Sequence, residues 1–111
     1  MTDEEIARAA AAALEDKKAA DVAVYDVRGK SDITDFTIVA TGTSAPHLRA
    51  LIRDVDRALN ALGVKSTRQS GEPETGWVVL DYINVIVHVF SEEARAYYNI
   101  EQLWTTPVQE A

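Results

Sequence analysis

The chain has no cysteine, so neither a disulfide nor a thiolate-held zinc ion can brace it. Its two histidines, His47 and His88, lie far apart, and neither has a second ligand at metal-binding spacing. Basic residues are in the minority. Against 18 Asp and Glu stand 11 Lys and Arg, a formal net charge of −7 that argues against direct DNA binding, which needs a basic footprint. No apolar run is long enough for a membrane span, and the acidic start Asp3-Glu4-Glu5 is unlike the basic start of a signal peptide. Repeats are absent, and the alanine run 9–13 is the one low-complexity stretch. These absences predict a cytoplasmic protein with no membrane partner and no metal or other cofactor. Its acidity suits docking to a basic partner, which can itself be a protein lying on nucleic acid.

What is present fits one domain over residues 1–111, long enough for a core and too short for two. Thr2 and Glu5 have capping-box spacing ahead of a helical stripe of Ile6, Ala10, Ala13 and Leu14. Lys17 and Lys18 suit that helix's C-terminal end. Residues 21–27 read as a strand, 28–35 as a turn-rich connection and 36–41 as a second strand whose apolar run predicts burial on both faces. Leu48, Leu51, Ile52, Val55, Leu59 and Leu62 then form one long helical stripe, with Gly63 as its stop. Residues 64–70 read as an edge strand and 71–76 as a loop. Segments 77–82 and 85–90 form an antiparallel hairpin across Ile83-Asn84. A two-residue turn of type I′ would hold Ile83 at positive φ, which a β-branched residue resists. Ser91 caps a last helix that breaks at Asn99, with a second piece running to Leu103 and Trp104 before Pro107 stops it. The resulting fold class is mixed α/β (α+β), a mixed β-sheet with packed helices.

Three constellations resemble catalytic machinery. The first is Gly42-Thr43-Ser44 at a helix start, followed by Asp54 and Asp56, the letters of a metal-dependent nucleotidyltransferase. Two residues apart on a helix, however, side chains diverge by about 200°, so these two aspartates cannot converge on one metal. Without them, Ser44 or Thr43 reads as a helix cap, Pro46 as a first-turn residue and Gly42 as the exit from the strand. The second is Asp32 with Asp35, which has no nucleophile or second base beside it and reads as an Asx-type turn. The third is the stripe Arg49, Arg53 and Arg57. It faces away from the leucines and is diluted by Asp54 and Asp56, so it reads as a solvated face.

The hairpin carries more information. Alternation places Val78, Leu80 and Tyr82 with Val85, Val87 and Val89 on a uniformly apolar face that meets the helices. The opposite face presents Trp77, Val79 and Asp81 beside Ile86, His88 and Phe90. Two readings fit that mixture. It is an interface centre, where tryptophan is enriched, or it lies under a second helix layer with His88 as a hydrogen-bonded core residue.

Three long blocks, RGKSDITDFTIVATGTS, GWVVLDYINVIVHVF and EEARAYYNIEQLW, together with KKAADVAVYDV before them, resemble the signature blocks of the ribosomal silencing factor family (RsfS, iojap-like). The resemblance runs from the first helix to Trp104. It implies a nucleotidyltransferase-like fold lacking the catalytic acids and a protein that is not an enzyme. The implied action is binding to the large ribosomal subunit through its fourteenth protein. The small subunit is thereby blocked from joining, and translation falls under nutrient limitation or in stationary phase. It further implies a homodimer when free and allows a peripheral ribosomal RNA contact; a role in large-subunit assembly would use the same docking site. Two departures stand out, Ile83-Asn84 where the family has Gly-Asp, and Asn99 in place of an aspartate. On this resemblance the expected partner-binding residues are Trp77, Val79, Asp81, Tyr82, Ile86 and His88, with Trp77 the apolar anchor and Tyr82 the member that alternation turns inward.

Overall fold

A computed structural model of the chain describes residues 2–29, 34–103 and 109–110. Asp32, Trp104 and Pro107 lie outside them. Thr2 caps the first helix, α1 (Asp3–Asp16), by the expected reciprocal pair: its hydroxyl accepts from the Glu5 N–H at 3.1 Å, and the Glu5 carboxylate accepts from the Thr2 N–H at 3.0 Å. The Thr2 N–H, and then the Thr2 hydroxyl, both donating to Glu5 Oε1, hold that carboxyl below its usual range. Strands β1 (Ala20–Asp26) and β2 (Phe36–Gly42) pair antiparallel. Helix α2 (Ala45–Ala61) leads to β3 (Arg68–Glu72), a 3-10 turn at Pro73–Thr75, and the hairpin of β4 (Trp77–Asp81) and β5 (Val85–Ser91). Helix α3 (Glu92–Tyr98), a second 3-10 turn at Ile100–Leu103 and the two-residue β6 (Gln109–Glu110) close the chain. Among the described residues no helix is long and apolar enough to cross a membrane.

The sheet has the order β3-β4-β5-β2-β1-β6, antiparallel throughout except for the central β2–β5 pair. This is the mixed α+β architecture that the element order predicts. All seven residues of β2 are buried, because helices cover the sheet on both faces. On one face α1 and α2 bury Val22, Val24, Ile38, Ala40, Val78, Leu80, Val87 and Val89. On the other, α3 and the second 3-10 turn set Ala94 and Ile100 against Ala23, Tyr25, Val39 and Phe90. Each fully buried large side chain contributes about 1.5–3 kcal/mol. Both central strands run straight into a helix at the same end of the sheet. Ser44 caps α2 by accepting from the His47 N–H at 3.2 Å, and Ser91 caps α3 by accepting from the Ala94 N–H at 3.1 Å.

Three expectations need correction. The edge strand lies at 68–72 rather than 64–70, because β4 ends at Asp81 opposite Arg68 and offers nothing for Val64 to Ser66 to pair with. Leu62 does not continue the α2 stripe. The helix ends at Ala61, Gly63 follows at φ 83°, and the Leu62 side chain is exposed. Gly42 is required for space rather than for an unusual backbone angle. A Cβ there would lie 2.6 Å from Leu48 Cδ2 and 3.3 Å from Leu51 Cδ1, so glycine lets the first turns of α2 sit down on the strand. Gly42→Ala is expected to destabilise the protein by about 1–3 kcal/mol through overpacking, read as a lower urea midpoint at unchanged slope.

Candidate functional site

The turn that resembles a nucleotide site is occupied by its own side chains. His47 Nδ1 accepts from the Thr43 N–H at 3.0 Å, which places the ring proton on Nε2, and Nε2 then donates to the Lys17 carbonyl at 2.8 Å. The imidazole thus ties the β2–α2 turn to the end of α1, a role that sequence spacing did not reveal. The aspartates diverge as helical geometry requires. Asp54, 8% exposed, turns to Lys17 and Arg57, each with a nitrogen 3.5 Å from its carboxylate. Asp56 Oδ1 accepts from the Tyr82 hydroxyl at 2.9 Å, and its Oδ2 accepts from Asn60 at 3.3 Å. Two of the three stripe arginines are ion-paired, Arg49 with Glu74 and Arg57 with Asp54.

The hairpin faces divide as alternation predicts. In the β4–β5 register Trp77 lies opposite Phe90, Val79 opposite His88, and Asp81 opposite Ile86. Five of the six expected partner-binding residues, Trp77, Val79, Asp81, Ile86 and His88, therefore share the face turned away from α1 and α2, and all five are half-buried. Tyr82 is not brought together with them. It is 7% exposed, packs in the core under α1 and α2, and its hydroxyl is committed to Asp56. Burial first, and then that carboxylate, raise its phenol above the ordinary value.

The outward face is partly covered. Trp77 stacks on Phe90 with ring centres 5.0 Å apart and meets Tyr98 of α3 at 4.5 Å, offset geometries that add to simple burial. Its indole N–H donates to His88 Nδ1 at 3.2 Å. Accepting that bond requires a neutral imidazole protonated on Nε2, and burial pushes the His88 pKa down to about 4. The cover is nevertheless incomplete. Tyr98 is exposed along one side, and Tyr97 beside it is 82% exposed. A groove of about 330 Å³ opens between Tyr98 and the edge strand, lined by Ser70, Gly71, Thr75, Trp77, Val79 and Tyr98. Asp81 Oδ1 accepts from the Ile83 N–H at 2.7 Å and so also fixes the hairpin tip.

The C-terminal cover is held by residues that sequence reasoning missed. Arg95 pairs with Glu101 through two bonds, Nε to Oε1 at 2.7 Å and a terminal nitrogen to Oε2 at 2.8 Å. Its other terminal nitrogen donates to the Asp21 carbonyl at 2.6 Å and the Thr41 hydroxyl at 2.9 Å. Tyr25 completes the knot by donating to Glu101 Oε2 at 2.9 Å. Arg95, helped by Tyr25, holds the Glu101 carboxyl below its usual range although burial opposes it. The αL conformation of Asn99, φ 45° and ψ 45°, turns the chain so that Glu101 reaches back; that break was legible, the ion pair it serves was not.

Compared with known proteins, residues 1–111 match the family model described as ribosomal silencing factor during starvation. The ribosomal silencing factor RsfS of Bacillus subtilis is 35% identical over 104 residues, 94% of this chain and 88% of its own. A crystal structure of a Chromobacterium violaceum protein matches with a TM-score of 0.91 at 36% identity, covering 96% of this chain and 88% of that one. A mouse protein named mitochondrial assembly of ribosomal large subunit protein 1 is 27% identical over 95 residues, 83% of this chain and 42% of its own. The chain belongs to the ribosomal silencing factor family.

Two outcomes follow from this geometry. An unfolded histidine titrates near 6.5 and folded His88 near 4, so the unfolded chain takes up the proton first. The stability due to neutral His88 is complete above pH 6.5 and declines as pH falls toward 4, by up to about 3 kcal/mol. An NMR titration should leave the His88 ring signals unshifted down to about pH 5; titration near 6.5 would contradict the buried neutral ring. Arg95→Met is expected to cost about 2 kcal/mol by stranding the half-buried Glu101 carboxylate, with Arg95→Met/Glu101→Leu recovering part of the loss in urea unfolding.

Proposed function

We propose that this protein is a non-enzymatic repressor of translation that docks on the large ribosomal subunit through that subunit's fourteenth protein and keeps the small subunit from joining. The observation that carries the reading is the outward hairpin face, where half-buried Trp77, Val79, Ile86 and neutral His88 lie together and a groove beside Trp77 and Val79 is bounded by the exposed Tyr98. That composition, aromatic at the centre and poor in charge, is the composition of a protein-interface core. The charge of −7 over the whole chain steers it toward a basic ribosomal protein. Trp77 is the anchor, Val79 and Ile86 complete the apolar patch, and Asp81 and His88 are its polar members. The action is steric: a body with extents of 32 × 31 × 24 Å on the joining face of one subunit excludes the other. No step in it calls for hydrolysis, and the residues of the nucleotidyltransferase-like turn are engaged in capping α2 and tethering α1.

The name of the mouse relative favours a second reading, a factor that rides the same subunit during its assembly. The two separate on deletion, which would leave immature large subunits in one case and mature, freely joining subunits in the other.

The docking test is co-sedimentation with purified subunits. The wild-type chain should bind large and not small subunits. Trp77→Ala should weaken binding by more than about 1 kcal/mol at a temperature where circular dichroism shows the variant folded. Val79→Glu, which leaves the Trp77–Phe90–Tyr98 stack in place, should weaken it as well. Wild-type affinity in both folded variants would remove this face from the interface.

A further inference from the structure

The tip of the β4–β5 hairpin holds one residue in a conformation its own chemistry opposes. Ile83 sits at φ 74°, in the left-handed region that a β-branched side chain enters only against steric resistance. The Asn84 N–H donates to the Tyr82 carbonyl at 3.0 Å, which makes Ile83 the centre of a γ-turn of the strained, positive-φ kind rather than the first residue of a type I′ turn. The surroundings fix this backbone from several sides. The Tyr82 N–H donates to the Val85 carbonyl at 2.9 Å, the Asn84 carbonyl accepts from the N–H groups of Asp35 and Phe36 at 3.1 and 3.0 Å, and the Ile83 N–H is taken by Asp81 Oδ1 at 2.7 Å.

None of those bonds needs an isoleucine. The side chain is 57% exposed and belongs to neither core cluster. A single exposed aliphatic residue is ordinary on a protein surface, but this one is both exposed and strained. Asparagine at 83 would relax the backbone and remove exposed apolar surface, two gains in stability from one change. Persistent strain of this kind is a mark of functional positions.

We propose that Ile83 is a recognition residue, held out at the hairpin tip so that its side chain enters an apolar hollow on the partner protein. The inference rests on the docking reading above and lengthens that interface from the outward face of β4 and β5 to the tip. Asp81 joins the two regions, since it lies on the docking face and its carboxylate pins the strained turn. The partner surface that fits is a basic protein, complementary to the charge of −7, with an aliphatic-sized depression beside the site that receives Trp77.

The test compares Ile83→Asn, Ile83→Leu and Trp77→Ala in the full chain, measuring urea unfolding and co-sedimentation with large ribosomal subunits side by side. Ile83→Asn should raise the folded-to-unfolded ratio roughly three- to tenfold and yet raise the Kd for the subunit at least about fivefold. Opposite signs in the two measurements are the signature of a residue kept for binding, because a structural residue would move both the same way. Ile83→Leu, which keeps the apolar bulk, should stay within about twofold of wild-type affinity. Wild-type binding by Ile83→Asn alongside weakened Trp77→Ala would overturn the recognition role and leave the docking reading intact. A joint loss of stability and binding in Ile83→Asn would assign the residue to the fold instead. If the wild-type chain itself ignores large subunits, both readings fall together.

Discussion

Seven successive buried residues in β2 place a demand that one layer of helices cannot meet. The strand is hydrogen-bonded on both edges, to β1 and β5, and its side chains alternate between the two faces, so each face must be covered. Helices α1 and α2 meet the demand on one side with long apolar stripes. On the other side, among the described residues, the seven residues of α3 and one 3-10 turn provide the cover. That cover reaches Ala23, Val39 and Phe90 and ends at the edge of Trp77. Beyond it, Val79, Asp81, Ile86 and His88 on the same face are half exposed.

The same economy governs the charged groups. The letters that resemble a metal site are spent on architecture: Asp54 answers Lys17 and Arg57, Asp56 holds the Tyr82 hydroxyl, and Ser44 with His47 finishes the α2 terminus. The ion pair of Arg95 with Glu101, set against the sheet, fastens the short cover in place while also satisfying two groups on β1 and β2. A pair this enclosed is worth little against an apolar replacement but is costly to halve, so it acts as a fixed register between the tail and the sheet. The outward hairpin face depends on it indirectly, since Tyr98 leans on Trp77 from the helix that Arg95 anchors.

Legibility in the sequence followed the range of the interaction. The α1 capping box, the α2 stripe up to Leu59, the double burial of β2 and the inward and outward faces of the hairpin all arise from spacings of two to four residues, and all could be read off. The position of β3 could not, because it is dictated by where β4 ends and not by the β-propensity of Val64 to Thr67. His47 and Lys17, or Arg95 and Thr41, are brought together only by the completed sheet, and nothing near either partner announces the other. Gly42 shows a subtler case. A glycine after a strand invites a backbone explanation, whereas its role is the room that Leu48 needs. The facing of the candidate site residues was legible to the same degree as the hairpin: five of them share the face that alternation gave them, and Tyr82 went to the core as its parity required.

The parallel pairing at the centre has a consequence for how the protein is made. Phe36 lies opposite Val85, about fifty residues later, whereas the β1–β2 and β4–β5 pairs join strands adjacent in the sequence. Pairings of long sequence separation pay their loop-closure entropy before they return any contact, so the two hairpins are expected to be early structures and their junction along β2 and β5 the slow step. Until that junction closes, the carboxyl ends of both strands are unjoined and α3 has no second strand to lie across. The surface around Trp77 is thus finished only after the β2–β5 junction closes, because α3, which sets Tyr98 against Trp77, is anchored through Arg95 to Asp21 and Thr41 on β1 and β2.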